Sequence, residues 1–260
     1  MPGEVRIEKG DGVGWIIFDH VARRNAITKD MWKKIPGIAR KLDDDPEVRV
    51  VVLRGAGDVA FVSGADISEF DQLRSGSGAR AYDEDNGKAF SALSNIQKPT
   101  IAMIHGFCVG GGCAISLTAD LRYCAEDGVF GIPAARLGLG YMTGGLETLE
   151  RIVGVSAAKE IFFTARRFDA REALRLGLVS EVLPKPELDA HVRKVAHGIA
   201  SNAPLTLRSA KLSFREIGKP PAERDQDALR SSIAACYDSE DYKEGVRAFL
   251  EKRRPDFQGK

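Results

Sequence analysis

The stretch KPTIAMIHGFCVGGGC (Lys98–Cys113) decides the fold. Proline precedes an apolar run, Thr100–Ile104, and three glycines, Gly110–Gly112, lead into the small residues Cys113–Ala119. The run reads as a strand, the glycines as a tight turn, and the small residues as a helix. Strand, glycine-bearing turn and helix in succession describe an α/β chain.

Upstream, VRVVVL (Val48–Leu53) is a continuous β-branched run, the mark of a strand covered on both faces. Downstream, Leu121–Ala125 is a third strand after Asp120. Val5–Ile7 and Val13–Phe18, with Gly10, Gly12 and Gly14 around the turn, form a hairpin. Thr28 caps a helix over about 29–43, which ends before Pro46. The polar region 70–87, with Ser75, Gly76, Ser77 and Gly78, reads as the mobile segment. From about residue 186 the pattern is helix only, in Glu187–Ala200, Pro204–Arg215, Ala222–Tyr237 and Ser239–Lys252. The expected division is a core of residues 1–195 and a helical region of residues 196–260. The latter is too thin to hold its own core and must pack on the first part or on another subunit.

Hydrophobic residues make up 43% and charged residues 29%, which is globular usage. A net charge of +1 gives no bias towards nucleic acid, and no basic helix with interleaved aromatics is present. No apolar run reaches the length of a bilayer span, and MPGEVRIEKGDG is too polar for a secretory signal. The four cysteines, Cys108, Cys113, Cys124 and Cys236, contain no CxxC pair, so no metal site or disulfide framework is expected. The reading is a cytoplasmic protein in a reducing compartment.

Two elements carry chemistry, SGADI (Ser63–Ile67) and VGGGC (Val109–Cys113). Each is a strand exit into a glycine-bearing turn ahead of a helix, where the first amides lack internal partners. Two such amides converging on one oxygen form an oxyanion hole, which stabilises an enolate or a tetrahedral thioester adduct. Taken alone, a triple glycine beside a small-residue helix is more simply read as close packing.

The motifs taken together say more. NAI (Asn25–Ile27), SGADISEF, KPTIAMIHGFCVGGGC, FGIPAARLGLG, GLVSEV and KEGVRAFLEKRRPDF occur in this order over essentially the whole chain. In this the sequence resembles the crotonase (enoyl-CoA hydratase/isomerase) superfamily. The resemblance implies a spiral of ββα units followed by a C-terminal helical trimerisation region, assembled as a homotrimer or a dimer of trimers. It implies an acyl-CoA substrate, with coenzyme A carried by that substrate and no separate cofactor or metal. The amides of Ala65 and Gly111 would hold the thioester oxygen. Ala22, Arg23, Arg24 and Ala26, with Ser63, Asp66 and Ile67, would line the CoA groove. Phe249 and Lys252 would approach the nucleotide end, often from a neighbouring subunit.

The sequence also departs from the pattern. Hydratases of the superfamily carry one glutamate directly after GGGC and another after FGxP, and these places are Ala114 and Ala134 here. Hydration needs a group to activate water and a group to protonate the α-carbon, and alanine does neither. The aspartate of the dehalogenase and dienoyl-isomerase branches corresponds to Met142. Tyr141 stands where a decarboxylase branch places a tyrosine that orients the departing carboxylate, although that branch has histidine where this chain has Ala65, and an aromatic that simply fills the acyl pocket is an equal reading. The expectation is a decarboxylase or other lyase acting through a thioester enolate, ranked slightly above a residual hydratase or isomerase activity; the alternative is a non-catalytic CoA-thioester-binding scaffold. Asp66 reads as a turn brace, His105 as a satisfied structural histidine, and Glu69 as a solvated helix residue. Glu147 and Glu150 would reach the pocket only if their helix were displaced. Arg253 and Arg254 read as solvated or phosphate-facing.

Overall fold

The computed structural model describes residues 3–69, 77–141 and 143–260. β1 (Glu4–Gly10) and β2 (Val13–Asp19) pair antiparallel from Glu4↔Asp19 to Gly10↔Val13. Asp11 and Gly12 between them have φ of 51° and 76°, the left-handed pair that a two-residue hairpin turn needs. α1 (Lys29–Asp43) begins where Thr28 Oγ1 accepts the Met31 N–H at 3.3 Å. Its buried residues Met31, Trp32, Ile35, Ala39 and Leu42 fall on one face at helical spacing.

A repeated unit follows. β3 (Val50–Gly55) is followed by β4 (Ala60–Val62), β5 (Thr100–Ile104) by β6 (Phe107–Val109), and β7 (Leu121–Ala125) by β8 (Val129–Gly131). The first member of each pair joins a six-stranded sheet of order β1-β2-β3-β5-β7-β10, in which β10 is Glu181–Leu183. The second joins a four-stranded sheet, β4-β6-β8-β9, with β9 at Phe168–Asp169. All pairings from β2 to β10 in the large sheet are parallel, as are β4/β6 and β6/β8. A helix follows each pair: α2 (Ser77–Ser94), α3 (Gly111–Leu117) and α4 (Thr143–Val153). The result is the expected α/β architecture of ββα windings.

Period-two alternation explains why the large sheet is covered on both sides. Val51 and Leu53 face one core with Ile16, Phe18 and Ile104, while Val50 and Val52 face the other with Trp15 and Ile101. The corner from β5 to β6 turns on Gly106 at φ +54°; a Cβ there would lie 1.9 Å from the Val59 carbonyl oxygen. Only glycine allows that approach.

The chain continues through α5 (Val155–Thr164) and α6 (Ala170–Arg175) to α7 (Lys185–Ala200). Leu188, Val192, Ala196 and Ala200 of α7 pack on the Val13, Trp15 and Val50 side of the sheet. Residue 195, the expected division, lies within this helix. α8 (Pro204–Ile217), α9 (Gln226–Tyr237) and α10 (Glu240–Leu250) form the C-terminal helical region. Buried Lys211 ties α8 to the core by donating to the Lys98 carbonyl at 2.8 Å and to Asp120 Oδ2 at 2.6 Å. The helix expected from Ala222 is split: Pro221–Glu223 is a 3₁₀ turn, and α9 starts after the Asp225 cap.

The stretch expected to be mobile is also corrected. Its part 70–76 lies outside the described residues, but from Ser77 the chain is helical and buries Tyr82, Ala89 and Leu93. Two glycines, Gly78 and Gly87, and a sparse apolar face hide this helix from propensity arguments.

Candidate active site

The two glycine turns meet. A Cβ built on Gly64 would lie 3.3 Å from the Val109 carbonyl oxygen. The NAI loop braces the SGADI turn: Ile27 N–H donates to the Gly64 carbonyl at 2.8 Å, and Asp66 N–H donates to the Ile27 carbonyl at 2.9 Å. Buried Asn25 holds that loop, its Nδ2 donating to the carbonyls of Ala56 and Ala60 at 2.9 and 2.7 Å while its Oδ1 accepts the His20 N–H. Arg24 and Asn25 take left-handed φ of 53° and 56°, a cost that these hydrogen bonds offset. Ser63 N–H donates to the Arg24 carbonyl at 3.1 Å, closing the loop against SGADI.

Each glycine of the triplet answers to a different demand. Gly110 has φ 55° and ψ −116°, a conformation only glycine adopts freely. A Cβ at Gly112 would sit 2.0 Å from the Val62 carbonyl oxygen, so this residue is glycine for packing. A Cβ at Gly111 would meet only ordinary contacts, Trp32 Cζ2 at 3.4 Å and the Ala65 nitrogen at 3.6 Å. Packing therefore accounts for Gly112 but not for Gly111, which lies on the open side beside Ala65. Neither the Ala65 nor the Gly111 N–H donates to a protein acceptor among the described residues.

Both amides line a cavity of about 490 Å³. Its walls are mostly apolar, from Trp32, Ile67, Phe90, Leu117, Ile132 and Leu139, and the methyls of Ala114 and Ala134 belong to them. Tyr141 lines it as well, its ring edge-on to Phe162 at 5.2 Å and close beside Gly145. Burial raises the Tyr141 phenol above its ordinary pKa, so it remains a protonated donor. Its hydroxyl has no hydrogen-bond partner among the described residues. Of the groups expected at the site, Ser63, Ala65, Ile67, Gly111 and Tyr141 meet here.

The other expected residues fall elsewhere or act as scaffold. Ala22, Arg23 and Arg24 are exposed, Arg24 lying over the Phe107 ring at 4.6 Å, and Ala26 is buried. Asp66 braces its turn: burial opposes its charge, but Oδ1 accepts from Ser68 N–H and Oγ, and its pKa lies below the usual carboxylate value. Glu69 is corrected from a solvated position to an N-terminal cap of α1, accepting the Lys29 N–H at 2.8 Å. His105 is buried as expected, yet its Nε2 has no partner among the described residues, and burial lowers its pKa so that the ring is neutral. Glu147 pairs with Arg151 at 2.6 Å, and Glu150 is exposed. Arg253 pairs with Glu244, whereas Phe249 is exposed and lines a separate groove in the C-terminal helices, with Lys252 at the end of α10. Met142 lies outside the described residues.

Several lining residues had no signal in the sequence, among them Trp32, Asp83 and Asn86. The first lies inside an amphipathic helix and reads as core. The other two belong to α2, which the polar composition of 70–87 concealed.

The fold, the paired turns and the cavity define a crotonase-type protein, and the comparisons agree. The enoyl-CoA hydratase/isomerase family model matches residues 8–260. The chain belongs to the enoyl-CoA hydratase/isomerase family. It is 34% identical over 250 residues to the short-chain-enoyl-CoA hydratase of Clostridium acetobutylicum, covering 96% of this chain and 95% of that one. It is 35% identical to the crotonyl-CoA hydratase of Syntrophomonas wolfei, covering 96% of each. The crystal structure of an enoyl-CoA hydratase/carnithine racemase from Magnetospirillum magneticum superposes with a TM-score of 0.94 at 33% identity, covering 98% of this chain and 96% of that one. No helix among the described residues is long and apolar enough to cross a membrane.

Proposed function

We propose that the chain is an enzyme that binds an acyl-CoA thioester, holds its carbonyl oxygen between the Ala65 and Gly111 amides, and uses the enolate for a reaction other than hydration. One observation carries this reading: at the cavity that holds both amides, the two positions where the family resemblance places glutamates present only methyl groups, Ala114 and Ala134. The relatives' names support a CoA-ester substrate. No cofactor beyond the CoA of the substrate enters the scheme.

Decarboxylation of a malonyl-type thioester suits these groups. The bond from the α-carbon to the carboxylate breaks, carbon dioxide leaves, and the electron pair moves into the thioester as an enolate. The two amides stabilise the enolate oxygen, and the α-carbon then takes a proton from water. No carboxylate base is required. Tyr141 donates its hydroxyl hydrogen to the departing carboxylate and sets its orientation. Tyr141→Phe keeps the ring against Phe162 and is expected to slow decarboxylation by about tenfold to a hundredfold, the worth of one hydrogen bond to a charged group. The assay follows loss of malonyl-CoA and methylmalonyl-CoA by chromatography. Equal rates for the two proteins would reduce Tyr141 to a pocket wall. Tight binding of these and of enoyl esters with no turnover of any would favour the non-catalytic scaffold.

An exposed apolar patch on the C-terminal helices supports association between chains, and the family resemblance makes that a homotrimer, alone or doubled. Tyr237, Phe249 and Leu250 are 63%, 83% and 74% exposed, and they line an apolar groove of about 670 Å³. Large apolar side chains in one patch are costly in water and mark an interface between chains. Light scattering is expected to give three or six chains per particle, and a monomer at micromolar concentration would refute the assembly.

A further inference from the structure

The first turn of α4 holds two adjacent glycines, Gly144 and Gly145, and both line the cavity. Glycine weakens a helix relative to alanine, so a pair in one turn calls for a physical reason. Backbone conformation supplies none for Gly145, which is helical and is not among the glycines of positive φ. Side-chain space does supply one. A Cβ at Gly144 would meet nothing within 4 Å. A Cβ at Gly145 would lie 2.9 Å from Tyr141 Cε1, 3.5 Å from Cδ1 and 4.0 Å from Cζ.

The contact falls on the edge of the ring that leads to the hydroxyl. Cε1 is bonded to Cζ, which carries Oη, so whatever displaces that edge displaces the hydroxyl. Carbon atoms pack best about 3.5–4.0 Å apart, and a methyl at 145 would therefore move the edge by about half an ångström or more. The ring packs against the main core and stands edge-on to Phe162 of α5 at 5.2 Å. Its hydroxyl oxygen has no hydrogen-bond partner among the described residues, and it is not one of the unpaired polar atoms sealed inside the protein. No protein hydrogen bond holds it in place. Its position is set by the contacts of the ring, and the one with Gly145 leaves no room for a side chain.

We propose that Gly145 is a positioning residue: by lacking a side chain it seats the Tyr141 ring where the hydroxyl meets the departing carboxylate. This rests on the decarboxylation reading of the cavity. A misplacement of about 1 Å can cost on the order of a hundredfold in rate, so half of that is expected to cost about tenfold. The loss belongs to kcat. The dissociation constant of the ester stays nearly unchanged, because the hydroxyl is one contact among the many that a CoA ester makes.

The test is a double-mutant cycle on Gly145→Ala and Tyr141→Phe, read as kcat on malonyl-CoA and methylmalonyl-CoA and as the dissociation constant of each ester. With Tyr141 present, Gly145→Ala is expected to lower kcat about tenfold. In the Tyr141→Phe protein the same methyl meets the same ring edge, but no hydroxyl remains to be misplaced. There kcat is expected to stay within about twofold of the single variant. A methyl that acted by distorting α4 or the cavity would slow both backgrounds equally, and that result overturns the proposal, as does an unchanged kcat with Tyr141 present. Thermal unfolding followed by circular dichroism reports the contact itself. Gly145→Ala is expected to lower the midpoint of the wild type and to raise that of Tyr141→Ala, where the ring is gone and the helix propensity of alanine remains. A midpoint that rises in both backgrounds removes the contact and the proposal with it. If the wild type turns over no malonyl-type ester, the decarboxylation reading falls and this inference with it. Turnover by the wild type with equal losses in the two backgrounds overturns the inference alone.

Discussion

Replacing Gly111 with proline is expected to lower kcat on the CoA ester the protein turns over by about a hundredfold to a thousandfold, the usual loss on deleting one oxyanion donor. The position makes this a clean experiment. Gly111 is the first residue of α3, where proline is tolerated best because that N–H has no intrahelical acceptor. The added ring meets only ordinary contacts on the Cβ side, so the fold should survive. Gly111→Ala serves as the control for bulk: it keeps the N–H and places its methyl 3.4 Å from Trp32 Cζ2. Steady-state kinetics on both variants, with circular dichroism for folding, separate the two effects. A folded proline variant with unchanged kcat would remove Gly111 from the oxyanion hole. An alanine variant as slow as the proline variant would assign the loss to bulk.

The second large effect concerns the missing acid and base. Wild-type protein is expected to bind crotonyl-CoA and to hydrate it barely above background. Ala114→Glu combined with Ala134→Glu places a carboxyl at each of two positions that line the same cavity as Ala65 and Gly111. Positioned acid/base groups contribute roughly a hundredfold to ten-thousandfold each, so hydration should become measurable. It should stay far below that of a natural hydratase, because nothing around Ala134, which is 5% exposed, has been selected to orient a carboxyl. Loss of the crotonyl ultraviolet absorbance follows the reaction in both proteins. Efficient hydration by the wild type would be the informative failure. It would direct attention to Asp83, a carboxylate-bearing residue among those lining the cavity.

Asp83 and Asn86 also show why the site was only partly legible. Strong local signals were read correctly. Thr28 caps α1, Thr100–Ile104 and Leu121–Ala125 are strands at those bounds, and the hairpin turns at Asp11 and Gly12. Each of these depends on neighbours in the chain, through capping, β-branching or turn chemistry. Three-residue strands such as β4, β6 and β8 have no period of their own, and they exist because the ββα winding lays them side by side. The 70–87 region failed for a related reason. Its helix has few apolar residues and two glycines, and it is held by burying Tyr82, Ala89 and Leu93 against the rest of the fold.

What the sequence alone determined about this protein is its family, its α/β winding and the two turns, since motif order, strand runs and obligate glycines are local properties of the chain. The reasons behind Gly111 and Gly112 were decided only by the tertiary structure, because a close approach to Val62 or an open path beside Ala65 depends on residues about fifty positions away. The same holds for Glu69, whose carboxylate caps a helix forty positions earlier. It holds also for Trp32, a core residue of a helix in sequence whose ring comes to lie against Gly111. Burial, and the pairing or orphaning of a polar atom, are properties of packed neighbours, and no local pattern encodes them.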